Sequence, residues 1–307
     1  MKQKPYRYFL YLGLRLVQGL VLLIPRDTAL FLARQLSGVV FFLIPKEREK
    51  TLRHLSWAYG KEKSPVEIRE LGKQVFAHFG QMAVDVIRIP KLNREKLDQL
   101  IEKGDGFSKV DQVLSRGKGM ILLTAHFGNW ELMGALFLLC GYPGTVIGRQ
   151  IYYDKFNQAI LDLRKKVMLR TIYQDDSPRE FLKVLKQNGI LGILADQDMD
   201  RMDGIFIPFF GKPAYTLTAP VKLALTSGAP LVPAFLIREG SRYRLLVHDP
   251  IQVEMKTSRE ETIQEYTEQW SQIVEETIRQ YPEQWAWMHR RWKTQPETPS
   301  GVAAPRD

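Results

Sequence analysis

The sequence predicts an α/β protein, a mostly parallel central sheet flanked by helices, with apolar membrane-associating helices at its N-terminus. Three observations predict it. Two strongly apolar stretches, residues 8–24 and 29–44, open the chain. A polar, charged segment of helical rhythm follows, from 46 to 100. From Gly119 onward, short β-rich apolar runs alternate with amphipathic ones, the pattern of strands laid side by side and covered by helices.

Each N-terminal stretch falls short of the ~20 clean apolar residues of a spanning helix. Each also carries polar residues, Arg15 and Gln18 in the first, Arg34 and Gln35 in the second. At helical spacing Lys4, Arg7, Tyr11, Arg15 and Gln18 form one polar stripe on an otherwise apolar helix. That pattern suits a helix lying in a membrane interface with its basic stripe at the headgroups. A signal peptide is a competing reading, since Lys2 and Lys4 precede the apolar run, but no small-x-small cleavage site follows. An apolar helical hairpin packed on the core is a third. Whether one segment crosses the bilayer stays open.

Farther along, Ser64-Pro65 with Glu67 marks a helix start, and apolar residues keep helical spacing from Val66 to Ile89. GMILLTA (119–125), TVIG (145–148), MLRTI (168–172), GILGILA (189–195), APLVPAFLI (229–237) and RYRLLVHD (242–249) read as strands. Helices are expected from Trp130, from about Asp154, from about Ser177, over YTLTAPVKLALTSG, and from Arg259 to Gln280. IFIPFFG (205–211) reads as an apolar loop that lines a pocket, dips into a membrane or tucks into the core. The aromatic stretch with Trp285, Trp287 and Trp292 reads best as a docked C-terminal helix. Residues 294–307, rich in Pro and small polar residues, are expected to be disordered. The organisation is therefore 1–45 membrane-associating helices, 46–293 the main domain, and 294–307 a tail.

The 307 residues suffice for a sizeable core. The net charge of +10 points to an anionic partner: lipid headgroups, phosphorylated substrates or an acidic carrier protein. Nucleic acid is disfavoured, since there is no C2H2 spacing, no RNP-like motif and no dense Lys/Arg run. Basic residues gather only near His289, Arg290, Arg291 and Lys293. Cys140 is the single cysteine, so no disulfide forms within the chain, and its apolar neighbours suggest a buried thiol. No metal is implied. Asp196, Asp198 and Asp200 superficially suggest a calcium loop, but Arg201 and Ile207 occupy the positions that need Gly and Glu.

One corner carries chemistry: AHFGNWELMG, residues 125–134. Residues five apart on one helix point about 140° apart, so His126 and Glu131 meet only if His126 precedes the helix. The sequence permits this. ILLTA forms a strand with His126 at its carboxyl end, Phe127-Gly128 turns, and Asn129 is a good N-cap. Glu131 then lies in the first helical turn and is expected to reach back to one imidazole nitrogen, leaving the other free as a base. A strand-to-helix corner whose histidine is purely structural is the other reading, and His and Glu at this spacing are a weak pattern alone.

HFGNWE after an apolar strand resembles the HX4D/E motif of glycerolipid acyltransferases, and more specifically the lipid A late acyltransferases of the lauroyl/myristoyl type from Gram-negative bacteria. ILADQD, the block IPFFGKPAYTLTAPVKLALTSGAPLVPAF and PEQWAWMHRRWK resemble further segments of that family, in the same order, so that the likeness runs from about residue 10 to 293. It implies a membrane-associated O-acyltransferase on the cytoplasmic face of the bacterial inner membrane. His126 would be the general base, oriented by Glu131. The donor would be a thioester of acyl carrier protein or coenzyme A, and the acceptor a lipid A precursor or related glycolipid. No cofactor, and no nucleophile from Cys140, is needed. Asn129, Arg149, Asp196, Gln197 and Gly211 are the expected substrate-contacting residues: Arg149 on acceptor phosphate or oxyanion, Asp196 and Gln197 as pocket organisers, Gly211 allowing close backbone approach. Backbone N–H groups around Gly128–Trp130 are candidate oxyanion donors. Arg53-His54-Leu55 stands where the family often carries Asn-Leu, which leaves the acceptor open. A lipid thioesterase or hydrolase, and a non-catalytic lipid-binding protein, are the alternatives. Acyl length, donor carrier and oligomeric state are not legible.

Overall fold

The computed structural model describes residues 6–150 and 154–296. Its helices are α1 (Tyr6–Leu23), α2 (Arg26–Leu43), α3 (Pro45–Tyr59), α4 (Pro65–Arg88), α5 (Arg94–Leu100), α6 (Gly106–Leu114), α7 (Trp130–Leu139), α8 (Asp154–Lys166), α9 (Pro178–Lys186), α10 (Ala219–Ser227) and α11 (Arg259–Gln280). Its strands are β1 (Ile101–Glu102), β2 (Met120–Thr124), β3 (Gly144–Gly148), β4 (Arg170–Tyr173), β5 (Ile190–Leu194), β6 (Gly204–Phe209), β7 (Lys212–Leu217), β8 (Leu231–Glu239) and β9 (Arg242–Val247).

Seven strands form one sheet in the order β1-β9-β8-β2-β5-β3-β4. Every pairing in it is parallel except the β8–β9 hairpin. All five residues of β2 are buried, as expected of a central strand covered on both faces. Ile121 and Leu123 face a core shared with Phe235, Trp270 and Ile278, whereas Met120 and Leu122 face a core shared with Leu132, Leu136 and Val232. Helices therefore cover both faces, and α7 and α11 lie on opposite sides of the sheet.

The N-terminal helices pack on α4 through a thin stripe. Ala29, Leu30, Ser37 and Phe41 of α2 are buried, while Phe31, Leu36, Val39, Phe42 and Leu43 are exposed. In α1, Phe9, Leu16, Leu20 and Leu23 are exposed. Among the described residues no single helix is long and apolar enough to cross a membrane; α2 and α3 together meet the length and composition but are bent by 95°. The start of α4 is the expected one: Ser64 and Glu67 form a reciprocal capping box, with Pro65 at the first helical position.

Several expectations need correction. Residues 205–211 are no loop: β6 pairs antiparallel with β7 across a turn at Phe210-Gly211, both at positive φ, as a two-residue hairpin turn requires. Pro208 sits opposite Pro213, and these two prolines hid the strands. Tyr215–Leu217 consequently belong to β7, and the helix expected there begins only at Ala219. The C-terminal aromatic stretch docks but is not helical beyond a 3-10 turn at Pro282–Gln284. Trp285, Trp287 and Trp292 are at most 2% exposed. Cys140 ends α7 and is only partly buried. The expected tail starts ordered, since Thr294 donates its N–H and hydroxyl to Asp198 at 2.6 and 2.7 Å. Residues 297–307 lie outside the described residues, as does Lys4 of the N-terminal stripe.

Candidate active site

Parallel pairing brings three strand ends to one edge of the sheet: His126 after β2, Arg149 after β3, and Asp196-Gln197 after β5. Thr124 is level with Leu194, so continuing that register places His126 beside Asp196. The Asp196 carboxylate accepts the His126 main-chain N–H at 2.9 Å and its ring Nδ1–H at 2.8 Å, while the Trp285 indole N–H donates to it at 2.8 Å. Burial would raise the Asp196 carboxyl, but its pairing with His126, the nearby His289 and the Trp285 hydrogen bond together hold it below the ordinary carboxylate range. An ionised Asp196 fixes the tautomer of His126, with the proton on Nδ1 and the lone pair on Nε2.

The Gln197 amide nitrogen lies 3.1 and 3.4 Å from Nε2 and Nδ1 of His126 and 2.9 and 3.4 Å from Nδ1 and Nε2 of His289, so it sits over both rings and not on the in-plane lone pair of Nε2. The rings of His126 and His289 lie edge to face, 4.6 Å apart, and Trp130 flanks His126 at 5.1 Å. Burial, with His126 beside it, pushes His289 down to about 4, so it is neutral near pH 7.

The corner is clamped from both sides. Gly128 takes φ +59°, and a Cβ there would lie 2.1 Å from the Leu236 carbonyl oxygen. Its N–H donates to Gln284 O at 2.9 Å, and Asn129 N–H donates to Leu236 O at 3.0 Å. The expected oxyanion donors at Gly128 and Asn129 are therefore already used. Ala286 N–H reaches His126 O at 3.0 Å, so the C-terminal segment forms part of the site wall.

Glu131 is where the sequence puts it, in the first turn of α7, but it does not orient His126. Its carboxylate accepts a two-pronged pair from Arg164 of α8, at 3.0 and 2.5 Å. Competition explains the difference: a guanidinium matches a carboxylate with two charge-assisted bonds, and Asp196 already holds the imidazole Nδ1. Asn129 is fully buried, accepts the Leu132 N–H as a helix cap at 3.0 Å and donates to Tyr243 Oη at 3.1 Å, a structural use out of reach of the cavity. Gly211 forms the β6–β7 turn away from the cavity, with open space around it rather than a close backbone approach.

A cavity of about 650 Å³ opens beside the corner. His126, Glu131, Arg149, Arg164 and Gln197 are among its polar walls. Ile147, Phe181, Ile193, Met199, Leu217 and Leu223 are among its apolar walls. Arg149 is exposed at the rim. Among the described residues no cluster of three or more His, Cys, Asp or Glu is arranged to hold a metal. The site thus combines an imidazole with a carboxylate behind it, cations in front and an apolar recess.

The family model described as bacterial lipid A biosynthesis acyltransferase matches residues 2–294. The chain belongs to this family of acyltransferases. A lipid A biosynthesis lauroyltransferase of Escherichia coli is 31% identical over 199 residues, 62% of each chain. A phosphatidylinositol mannoside acyltransferase of Mycobacterium tuberculosis is 26% identical over 175 residues, 55% of each chain, so the match spans about half of that relative. A lipid A biosynthesis myristoyltransferase of Escherichia coli is 22% identical over 237 residues, 77% of this chain and 72% of that one. A solved 1-acyl-sn-glycerophosphate acyltransferase from Thermotoga maritima superposes with TM-score 0.37 at 14% identity, covering 85% and 99% of the two chains, too loosely to position residues.

Of the expected site residues of this family member, His126, Glu131, Arg149 and Gln197 line one cavity with Asp196 buried behind His126, whereas the side chains of Arg164, Trp130, Trp285 and His289 join the site unexpected. Arg164 lies in a run of lysines on α8 that reads as a solvated face. His289 sits among basic residues, and no spacing relates it to a histidine so far away in sequence.

Proposed function

We propose that the chain is a membrane-associated O-acyltransferase. It moves a fatty acyl group from a thioester, of acyl carrier protein or coenzyme A, to a hydroxyl of a lipid A precursor or related glycolipid. One observation carries the reading: His126 lines the cavity while Asp196 holds its Nδ1, which leaves Nε2 as the basic nitrogen. An acceptor hydroxyl meets the Nε2 lone pair and gives up its proton there as its oxygen attacks the thioester carbonyl. The tetrahedral intermediate collapses with cleavage of the C–S bond, and the imidazolium returns the proton to the departing sulfur. Asp196 stabilises that imidazolium. Arg149 supplies positive charge toward the oxyanion or an acceptor phosphate, beside the Arg164–Glu131 ion pair. The apolar recess receives the acyl chain, and the exposed apolar faces of α1 and α2 rest on the membrane. A bacterial inner membrane, approached from the cytoplasmic face, fits a donor carried by a soluble protein.

The test is acyl transfer by detergent-purified protein from labelled acyl carrier protein to a tetra-acylated lipid A precursor, and in parallel to a phosphatidylinositol mannoside, with His126→Ala as control. Product mass reports acceptor and chain. Transfer by the wild type that disappears in the variant is expected. Free fatty acid without acylated lipid would instead favour a hydrolase, and equal transfer by both would remove His126 from the chemistry.

A further inference from the structure

A second cavity of about 340 Å³, which shares no lining residue with the catalytic one, opens at the elbow between α1 and α2. Arg26, Arg88, Lys91, Lys96 and Arg242 line it, against Asp27 and Asp85. The acidic groups do little to neutralise these cations. Asp85, 3% exposed, is saturated by Arg26 at 2.7 and 3.0 Å, Arg238 at 2.5 Å and Tyr243 at 2.7 Å. Asp27 points outward and only approaches Arg26, at 3.8 Å. Arg88, Lys91, Lys96 and Arg242 have no carboxylate partner among the described residues.

The cations are also anchored. Arg88 donates to the carbonyls of Val21 and Ile24 at 2.7 and 2.9 Å, and Lys91 donates to Leu22 O, so both are pinned under the last turn of α1. Lys96 reaches Lys91 O at 3.1 Å. An uncompensated basic pocket of this size fits a phosphate ester. The adjoining surface selects its source: Leu20 and Leu23 are 53% and 82% exposed on the same turn of α1. A headgroup phosphate held by Arg88, Lys91, Lys96 and Arg242 would let its acyl chains run along these side chains.

We propose that the α1–α2 elbow is a binding site for the phosphate of an anionic phospholipid, separate from the catalytic cavity. The site docks the protein on the membrane in one orientation, whatever the acceptor of the reaction. Arg26 joins it through Asp85 and Tyr243 to Asn129, the cap of the active-site helix.

The experiment measures full-length protein binding to phosphatidylglycerol-containing vesicles and to pure phosphatidylcholine vesicles. The variants are Lys96→Gln/Arg242→Gln, Arg242→Gln alone, and the charge-matched control Lys183→Gln/Lys186→Gln on exposed positions of α9. Because each basic residue near an anionic surface contributes about 1 kcal/mol, the double pocket variant should lose preference for phosphatidylglycerol on the order of tenfold or more, with Arg242→Gln intermediate. The α9 control should stay within about twofold of wild type if the pocket rather than net charge is responsible. An equal fall in the pocket variant and the control would assign the preference to overall charge and overturn the proposal, as would no fall in either. Glycerol phosphate is a third arm, titrated onto the protein without vesicles: pocket-dependent binding of it, with no pocket-dependent preference for phosphatidylglycerol vesicles, would make the ligand a soluble phosphate ester and overturn the lipid assignment.

Discussion

Arg164 of α8 closes a two-pronged ion pair on Glu131 of α7, in the cavity's wall and with both side chains less than a fifth exposed. The pair ties the active-site helix to the helix after β3, and it holds Glu131 away from His126. Glu131→Gln and Arg164→Gln should each destabilise the protein, and the double variant should cost less than the sum. A coupling on the order of 0.5–3 kcal/mol is expected from a double-mutant cycle read by urea unfolding. Strictly additive losses would show that the two side chains act independently.

Gly128 has no tolerance for a side chain. Its left-handed backbone costs a residue with a Cβ about 1–3 kcal/mol, and the approach to Leu236 O adds a collision. Gly128→Ala should lower thermal stability by at least that strain and displace His126 with it, so that transfer falls more than stability does. A fully stable, fully active Gly128→Ala variant would contradict the clamped corner.

Two buried histidines make stability depend on pH. Burial, with His126 nearby, pushes His289 to about 4, and burial, with Arg238 nearby, pushes His78 to about 3, both from an ordinary 6.5. Their folded values lie below the unfolded one, so between about 4 and 6.5 the unfolded chain binds protons that the native chain refuses. Stability should therefore rise with pH across that window and fall on acidification. His289→Gln should flatten the slope by up to about 1.4 kcal/mol per pH unit, measured by urea unfolding at several pH values. An unchanged slope would place His289 in a protonatable setting.

Asp85 is the sole carboxylate among the groups hydrogen-bonded at its site, facing Arg26, Arg238 and Tyr243. Removing it leaves buried guanidinium charge uncompensated, an effect of about 3–5 kcal/mol. Asp85→Asn should shift the urea midpoint accordingly, and retention of the wild-type midpoint would mean that water reaches Arg238.

Much of this was legible in the sequence. Period-two and continuous apolar runs located β2, β3, β5, β8 and β9, and Arg259–Gln280 is a helix with the expected ends. The position of His126 at a strand end followed from the apolar run ILLTA before it and the helix cap Asn129 after it. Its partner did not, because a carboxylate supplied by a neighbouring parallel strand leaves no fixed spacing in the chain. Local reasoning reached Glu131, five residues away, whereas the sheet register supplies Asp196 across the β2–β5 pair. The hairpin β6–β7 stayed hidden behind Pro208 and Pro213. The C-terminal tryptophans read as a helix, but their stretch is a run of tight turns after the Trp285 bridge, its rings inserted into the core and its backbone paired to the catalytic corner at Phe127 and Trp285.

The most direct test compares acyl transfer by Asp196→Asn and Glu131→Gln, each checked for folding by circular dichroism. With His126 oriented by Asp196, Asp196→Asn frees Nδ1 from its carboxylate and should lower kcat on the order of 10²–10⁴-fold. Glu131→Gln should lose less, with its effect concentrated in KM through Arg164. A Glu131→Gln variant without activity beside an Asp196→Asn variant of near wild-type rate would contradict the assignment and make Glu131 the partner of His126 during the reaction.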